Sequence, residues 1–275
     1  MVKANNNTYG AKDIEVLEGL EPVRKRPGMY IGGVDDKAMH HLALEIIDNA
    51  MDEAIAGYAS NIDIELIEKN YLIVRDNGRG IPVEEHPRFP GKSALEIIVG
   101  TLHAGGKFSE GAYKTSGGLH GVGISVVNAL SEYLKIEVVR DKKLYQQFFS
   151  KGKSISSLEC LGSSGKKKGT TVFFKPDPEI FGSEAVFSPN KLFKDAQSKA
   201  YLLSGIVINW ICKSDLINSD TISPTETFCY PKGIIDFLNN KIEHYDQFSN
   251  EHFKGNIEFK GKSNDERKGS IEWAC

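Results

Sequence analysis

Glu45-Ile46-Ile47-Asp48-Asn49-Ala50-Met51-Asp52-Glu53 is the stretch on which the fold turns. It lies inside a helix read from about Lys37 to Ala56, with Asp35 or Asp36 as its cap and Gly57 as its stop. Met39, Leu42, Leu44, Ile46, Ile47, Met51 and Ile55 spread around much of the circumference, so the helix is expected to be largely buried. Glu45, Asp48, Asn49, Asp52 and Glu53 nevertheless recur at spacings of three, four, seven and eight, which gathers them on one side. Such a stripe is either a solvated face or the polar wall of a cleft, and cleft carboxylates mark sites.

Outward from this helix the chain reads as mixed. Ile62 to Leu66 alternates as a half-buried strand does, Lys69-Asn70 turns, and Tyr71 to Val74 is the partner. Helices are expected at Ser93–Leu102, Ile124–Leu130, Ser188–Ser204 and Ile234–Ile242. Strands are expected at Lys135–Val139, Leu144–Phe149, Thr170–Phe174, Ile206–Ile211, Asn256–Phe259 and Ser270–Ala274. Asp13 to Leu20 reads as a short amphipathic piece and Arg24 to Tyr30 as a loop, since Pro and Gly interrupt it.

Two further stretches could carry chemistry. Asp76-Asn77-Gly78-Arg79-Gly80-Ile81-Pro82 follows a strand directly. An Asp there can accept a hydrogen bond from the amino group of a base, and glycines let backbone approach a planar ligand. A tight Asx turn is the competing reading. Ser116 to Leu130 runs a loop with Gly117, Gly118, Gly121 and Gly123 straight into a helix. Free N–H groups at such a start suit phosphate, and a flexible loop is the alternative. Gly-Lys-Ser occurs at 91–93, 152–154 and 261–263, but the position five before each Gly holds His86, Gln147 or Asn256, so none is a P-loop. A dinucleotide fingerprint is also missing, so a nucleotide site here belongs to another class.

Composition bounds the rest. The chain has 275 residues, with 34 Lys+Arg against 37 Asp+Glu, a net charge of −3. That argues against a chain devoted mainly to coating nucleic acid or a polybasic membrane surface, while leaving room for a local basic patch. Lys166-Lys167-Lys168 reads as a solvated turn. Cys160, Cys212, Cys229 and Cys275 show no paired spacing, which fits a reducing, cytoplasmic setting without zinc. Neither a secretory leader nor an apolar run near 18 residues is visible, so no membrane partner is expected. His40 and His41 point about 100° apart on one helix, which favours structural roles over a metal pair.

The order of the three motifs, acidic/Asn helix, Asp-x-Gly-x-Gly, then glycine loop into helix, resembles the ATPase superfamily of gyrase, Hsp90, histidine kinases and MutL. Gly19 to Tyr30, Asp48 to Ala54, Leu102 to Phe108 and Ser116 to Leu130 are similar to the ATPase subunits of bacterial type II topoisomerases. Glu21-Pro22 and the stretch from His86-Pro87 to Leu95 resemble the B subunit of topoisomerase IV more than that of DNA gyrase, which is kept as the alternative with negative supercoiling as its activity. A sensor histidine kinase would need a preceding helical hairpin, and no room for one lies before residue 13; a decayed binding module conflicts with intact Glu45, Asn49, Asp76 and Gly118–Gly123.

The resemblance implies an α+β GHKL (Bergerat) ATPase sandwich, a mixed sheet with helices on one face, followed by the start of a ribosomal S5-like transducer domain. It implies a dimerisation arm at 1–12, the ATP-binding domain at 13–215 and a truncated second domain at 216–275. The Gln-x-Lys loop that reaches the γ-phosphate in this family does not occur before Cys275, which makes the chain look like part of a longer subunit. ATP and Mg²⁺ are the implied ligands. Glu45 would be the general base, Asn49 the Mg²⁺ ligand and Asp76 the adenine reader. Gly80, Ile81 and Pro82 would shape the base pocket, with Thr170 supporting the same contact and Glu53 beside it. Lys107 and the backbone of Gly118, Leu119, His120, Gly121, Val122 and Gly123 would hold phosphates, with Tyr113 as lid tyrosine. Arg79 and Arg140 would stand at the mouth, where aminocoumarin inhibitors bind. Tyr9 would embrace a second copy when ATP drives homodimerisation. DNA, engaged through the full complex, and a DNA-cleaving A subunit are the further implied partners.

Overall fold

The computed structural model describes residues 11–106, 121–218, 221–246, 252–260 and 268–275. Tyr9, Lys107, Tyr113, Gly118, Leu119 and His120, together with most of the arm, lie outside the described residues. In chain order the helices are α1 (Glu21–Lys25), α2 (Gly28–Ile31), α3 (Asp36–Ile55), α4 (Ala94–Gly100), α5 (Gly123–Ala129), α6 (Pro178–Phe181), α7 (Pro189–Leu202) and α8 (Ile234–Ile242). The strands are β1 (Asn61–Glu68), β2 (Tyr71–Asp76), β3 (Ser131–Arg140), β4 (Lys143–Ser150), β5 (Lys153–Ser154), β6 (Glu159–Ser163), β7 (Gly169–Pro176), β8 (Val207–Cys212), β9 (Thr225–Phe228), β10 (Lys254–Lys260) and β11 (Lys268–Ala274).

The main sheet runs β5-β4-β3-β7-β2-β1-β8-β9, with β6 also paired to β4. Among the described residues β1 and β8 run parallel and the other ladders of this sheet are antiparallel, so the sheet is mixed as expected. Alternation decides its two faces. Ile62, Ile64 and Leu66 of β1 point into the core with Leu72 and Val74 of β2, Leu134, Ile136 and Val138 of β3, and Val172 and Phe174 of β7. The opposite face is mixed, with Ile73, Tyr71, Tyr133, Phe148 and Phe173 packed among polar groups. Asn209 and Asn61 both donate side-chain amides to Asp63 Oδ1, at 2.7 and 2.8 Å, and Arg75 donates to Thr171 Oγ1. Helices α3, α5 and α7 therefore cover the apolar face, α3 over β1, β2 and β7. Burying these side chains, each worth about 1.5–3 kcal/mol, is what holds the layers together.

α3 ends where its sequence says it should. Asp35 caps it by accepting from Ala38 N at 2.8 Å, and Gly57 takes φ +81° just past its end. The stretch 24–30 is not a loop: α1 and α2 occupy it. Pro22 sits in the first turn of α1, and Pro27 immediately precedes α2. A proline's fixed φ suits a helix start, so residues read as breakers here begin helices. The piece 13–20 forms no helix beyond a 3₁₀ turn at Ala11–Asp13, and Ile14 and Val16 are exposed while Leu20 alone is buried. Arg24 ties α1 to the body by donating to Ala129 O at 2.8 Å and to the fully buried Asp177 at 2.7 Å.

β9 pairs antiparallel with β8 from Ile208↔Phe228 to Ile211↔Thr225, so the main sheet continues past residue 215, where the first domain was expected to end. Beyond it, β10 and β11 form a separate hairpin with exposed Ile257 paired to exposed Ile271. His40 is 3% exposed; Ser188 N donates to its Nε2 at 2.9 Å and its Nδ1 lies 2.6 Å from Asp36 O, so it is a neutral structural group whose pKa burial lowers. Among the described residues no helix is long and apolar enough to cross a membrane.

Candidate functional site

The register of β2 puts Leu72, Val74 and Asp76 on one face, under α3. The last of these is the carboxylate of the second motif. Asp76 is therefore delivered, 7% exposed, to the floor of a cavity of about 290 Å³. Ile46, Asn49, Ala50 and Glu53 of α3 form one wall, and Val74, Val172 and Thr170 form the base. Arg79, Gly80, Ile81, Pro82 and Arg140 form the rim, with Ile98, Gly106 and Ile124 closing the far side. The lining is mostly apolar with a few convergent polar groups, the composition of a small-molecule site.

The floor is fixed by backbone. Gly78 N donates to Asp76 Oδ1 at 2.7 Å, and Thr170 N approaches the same oxygen at 3.4 Å. Burial raises the Asp76 pKa to about 6; the neighbouring Glu53 charge pushes it further up, while the two N–H groups pull it down. Glycine is required at two points here. A methyl built on Gly78 would stand 2.7 Å from both Asp76 Oδ1 and Glu53 Oε2. Gly169 has φ +117°, and a methyl there would overlap the Asp76 carbonyl. Thr170 Oγ1 accepts Ile81 N–H at 3.3 Å, and Arg140 donates to Gly80 O at 3.0 Å, which pins the rim from the opposite strands.

Asn77 has no role in the sequence reading, yet its side chain anchors the motif. Its Oδ1 accepts Ser60 N at 2.8 Å and Asn61 N at 3.1 Å, tying the loop after β2 to the start of β1. Tyr58 is a second residue that the sequence does not reveal: the Arg79 guanidinium stacks 3.8 Å above its ring. Neither residue carries a signal in the chain's periodicity.

The polar stripe of α3 divides. Asn49 and Glu53 line the cavity, whereas Asp48 pairs with Lys199 of α7. Five residues of helix separate Asp48 from Glu53 by roughly 140°, too far for one wall. Glu45 sits one turn before Asn49, with its carboxylate packed against Gly123 at the first turn of α5; a methyl on Gly123 would overlap it. Gly121 holds φ +60° just before that turn, and Val122 is its N-cap. Thus Asn49, Glu53, Asp76, Arg79, Gly80, Ile81, Pro82, Arg140 and Thr170 line one cavity, while Glu45 lies a turn earlier on α3 against Gly123, which Gly121 and Val122 precede. Among the described residues no group of three or more His, Cys, Asp or Glu is placed to hold a metal ion.

The structure thus sets one carboxylate, Asp76, at the bottom of an apolar slot, a second, Glu45, against the start of α5, and Asn49 on the helix between them. Residues 34–180 match the family described as histidine kinase-, DNA gyrase B-, and HSP90-like ATPases, and the chain belongs to that family. It is 52% identical to the B subunit of DNA topoisomerase 4 from Rickettsia bellii, over 99% of this chain and 40% of that one. The protein of the same name from Caulobacter vibrioides is 53% identical over 97% of this chain and 37% of its own. The B subunit of DNA gyrase from Thermotoga maritima is 49% identical over 84% and 35%. The crystal structure of the 43K ATPase domain of Thermus thermophilus gyrase B in complex with an aminocoumarin superposes with a TM-score of 0.74 at 40% identity, over 86% of this chain and 58% of that one. The chain spans about two fifths of the length of the topoisomerase relatives it matches.

Proposed function

We propose that this chain is the ATP-binding and hydrolysing part of a type II DNA topoisomerase, of the kind found in the B subunits of topoisomerase IV. The observation that carries the reading is Asp76, a buried carboxylate held by backbone N–H groups at the floor of an apolar cavity, with Glu45 against the start of α5 at the other end of the helix wall. The identities of 52–53% with topoisomerase 4 B subunits support the choice within the family.

In this reading Asp76 accepts the amino group of adenine, and Val74, Ile81 and Val172 sandwich the base by dispersion and water exclusion. Thr170 holds Ile81 in place for that contact. Phosphates extend toward Gly121–Gly123, Lys107 and the glycine loop from Gly118, where N–H groups at the start of α5 meet them. Glu45 accepts the proton of the attacking water, the role of a general base. Asn49 offers one side-chain oxygen between these ends, a donor set that suits Mg²⁺ shared with substrate phosphates and water. That ion, when bound, supplies charge neutralisation on the phosphates. Tyr113 and Tyr9, outside the described residues, are assigned on the family resemblance alone to nucleotide contact and to contact with a second copy of the chain.

ATP-driven dimerisation would then drive strand passage, decatenation and relaxation of DNA together with a DNA-cleaving A subunit. Arg79 and Arg140 at the rim are the residues we assign to aminocoumarin binding. The hairpin β10–β11 and α8 belong to the start of a second, transducer domain. The experiment is a split of binding from turnover in the full-length protein. Glu45→Gln should bind ATP with unchanged affinity and lose hydrolysis by roughly 10²–10⁴-fold, the usual contribution of a general base. Normal turnover in Glu45→Gln would remove the base assignment.

A further inference from the structure

Outside the nucleotide cavity, two turns at one edge of the sheet concentrate positive charge. The β3–β4 connection carries Arg140, Asp141, Lys142 and Lys143, and the loop before β7 carries Lys166, Lys167 and Lys168. Ser164 N donates to Lys142 O at 2.9 Å, and the β4–β6 ladder begins at Lys143↔Ser163, so the turns are fastened to each other. Asp141 and Lys142 both sit at positive φ, 51° and 62°, a conformation that non-glycine residues seldom adopt. With Arg79 these turns enclose a pocket of about 540 Å³.

Its lining contains Arg79, Arg140, Lys142, Lys166, Lys167 and Lys168 against a single carboxylate, Asp141. Three of the cations are engaged: Arg79 with Glu53, Arg140 with Gly80 O and Glu84, and Lys168 with Tyr58 O at 3.2 Å. Lys142, Lys166 and Lys167 are exposed and have no ion pair or side-chain hydrogen bond among the described residues. Val139 is the one apolar side chain in the lining and no aromatic ring is present, so neither an acyl chain nor an unstacked base finds a platform. What remains is a site for phosphate charge alone. A net charge of −3 for the whole chain makes this local excess the more distinctive.

We propose that this pocket grips the phosphate backbone of duplex DNA without reading its sequence. Ammonium groups on fixed turns neutralise phosphates and release their counterions, which is how sequence-independent contacts gain affinity. The choice of DNA among polyanions rests on the topoisomerase reading above. Because Arg79 and Arg140 border both the pocket and the nucleotide cavity, a duplex held here abuts the rim of the ATP site.

The test is fluorescence anisotropy of this chain with a short labelled duplex of mixed sequence, over a range of NaCl concentrations. Each variant's ATP affinity is measured alongside. The triple variant Lys142→Ala, Lys166→Ala, Lys167→Ala should bind DNA at least roughly tenfold more weakly at low salt, and its slope of log affinity against log salt should shrink by about 2 to 3. The same three positions changed to Arg should keep both properties, and all three proteins should bind ATP equally. Unchanged DNA affinity and slope in the Ala variant, or no salt-sensitive duplex binding by the parent chain, would overturn the proposal. Loss of ATP binding from the parent chain would instead overturn the nucleotide reading, with the DNA comparison still deciding this one.

Discussion

Glu53 holds Arg79 by three contacts: its Oε1 accepts Nη2 at 2.7 Å, and its Oε2 accepts both Nε at 3.2 Å and the backbone N–H at 3.0 Å. The same carboxylate stands close enough to Asp76 to raise that group's pKa. One helix residue thus orders the rim of the cavity and tunes its floor. Glu53→Gln should therefore lower the Asp76 pKa from about 6 toward the ordinary carboxylate value, because a like charge is gone. Carbon-13 titration of the Asp76 carboxyl by NMR reads this directly; an unchanged or higher value would refute the coupling.

Asp76 also sets a pH dependence of stability. Its folded pKa of about 6 lies above the ordinary value of 3.8, so between those values the folded chain holds more protons than the unfolded one. Stability from this group is then greatest below about pH 4 and is lost as pH rises to about 6. Above that pH the buried charge costs on the order of 3 kcal/mol. Asp76→Asn, which keeps the acceptor for Gly78 N, should be more stable than the parent at pH 7.5 and show no advantage below pH 4. Urea unfolding at both pH values checks the sign.

Gly169→Ala should be among the most damaging single-methyl changes in the chain. It combines φ +117° with overlap on the Asp76 carbonyl, where backbone rather than a side chain must yield. A loss of about 2–4 kcal/mol is expected from strain and overpacking. Gly57→Ala at φ +81° meets nothing within 4 Å, so it serves as the control with a smaller loss. Equal losses in the two variants would show that the close approach contributes nothing.

Removing Arg24 should loosen the N-terminal segment. Asp177 would keep only Lys151, at 3.7 Å, as a cationic neighbour among the described residues, and Ala129 O would lose its donor. Breaking such a buried pair costs about 3 kcal/mol. Arg24→Ala should lower the unfolding free energy by that amount, whereas Lys25→Ala, whose pair with Glu15 is exposed, should change it by less than about 1 kcal/mol. Urea unfolding of the two variants side by side makes the comparison, and equal losses would deny the Arg24–Asp177 pair its anchoring role.

Much of this fold is legible in the chain, and the illegible parts share a cause. α3, β1, β2, β3, β7 and β8 follow from periodicity because each buries one face over many residues. α1 and α2 are too short for a period, and their prolines mean opposite things at a helix start and inside a helix. β9 reads Thr-Glu-Thr-Phe, with a single buried residue, and is recruited by the edge of β8 rather than by its own pattern. Of the residues lining the cavity, Asp76, Asn49 and Gly80 are visible because motif order marks them, and Thr170 only through the family resemblance. The Glu53–Arg79 pair, the Asn77 anchor and the diversion of Asp48 to Lys199 depend on register and helix rotation. Residues 107–120, which carry four of the seven expected phosphate contacts, lie outside the described residues.

The most direct measurement is calorimetric titration of ATP into this chain and into Asp76→Asn at pH 7.5. Expected is saturable one-site binding to the parent chain and none detectable to Asp76→Asn, while thermal unfolding shows both proteins folded. ATP binding of equal strength by a folded Asp76→Asn would contradict the assignment of this cavity as the adenine site.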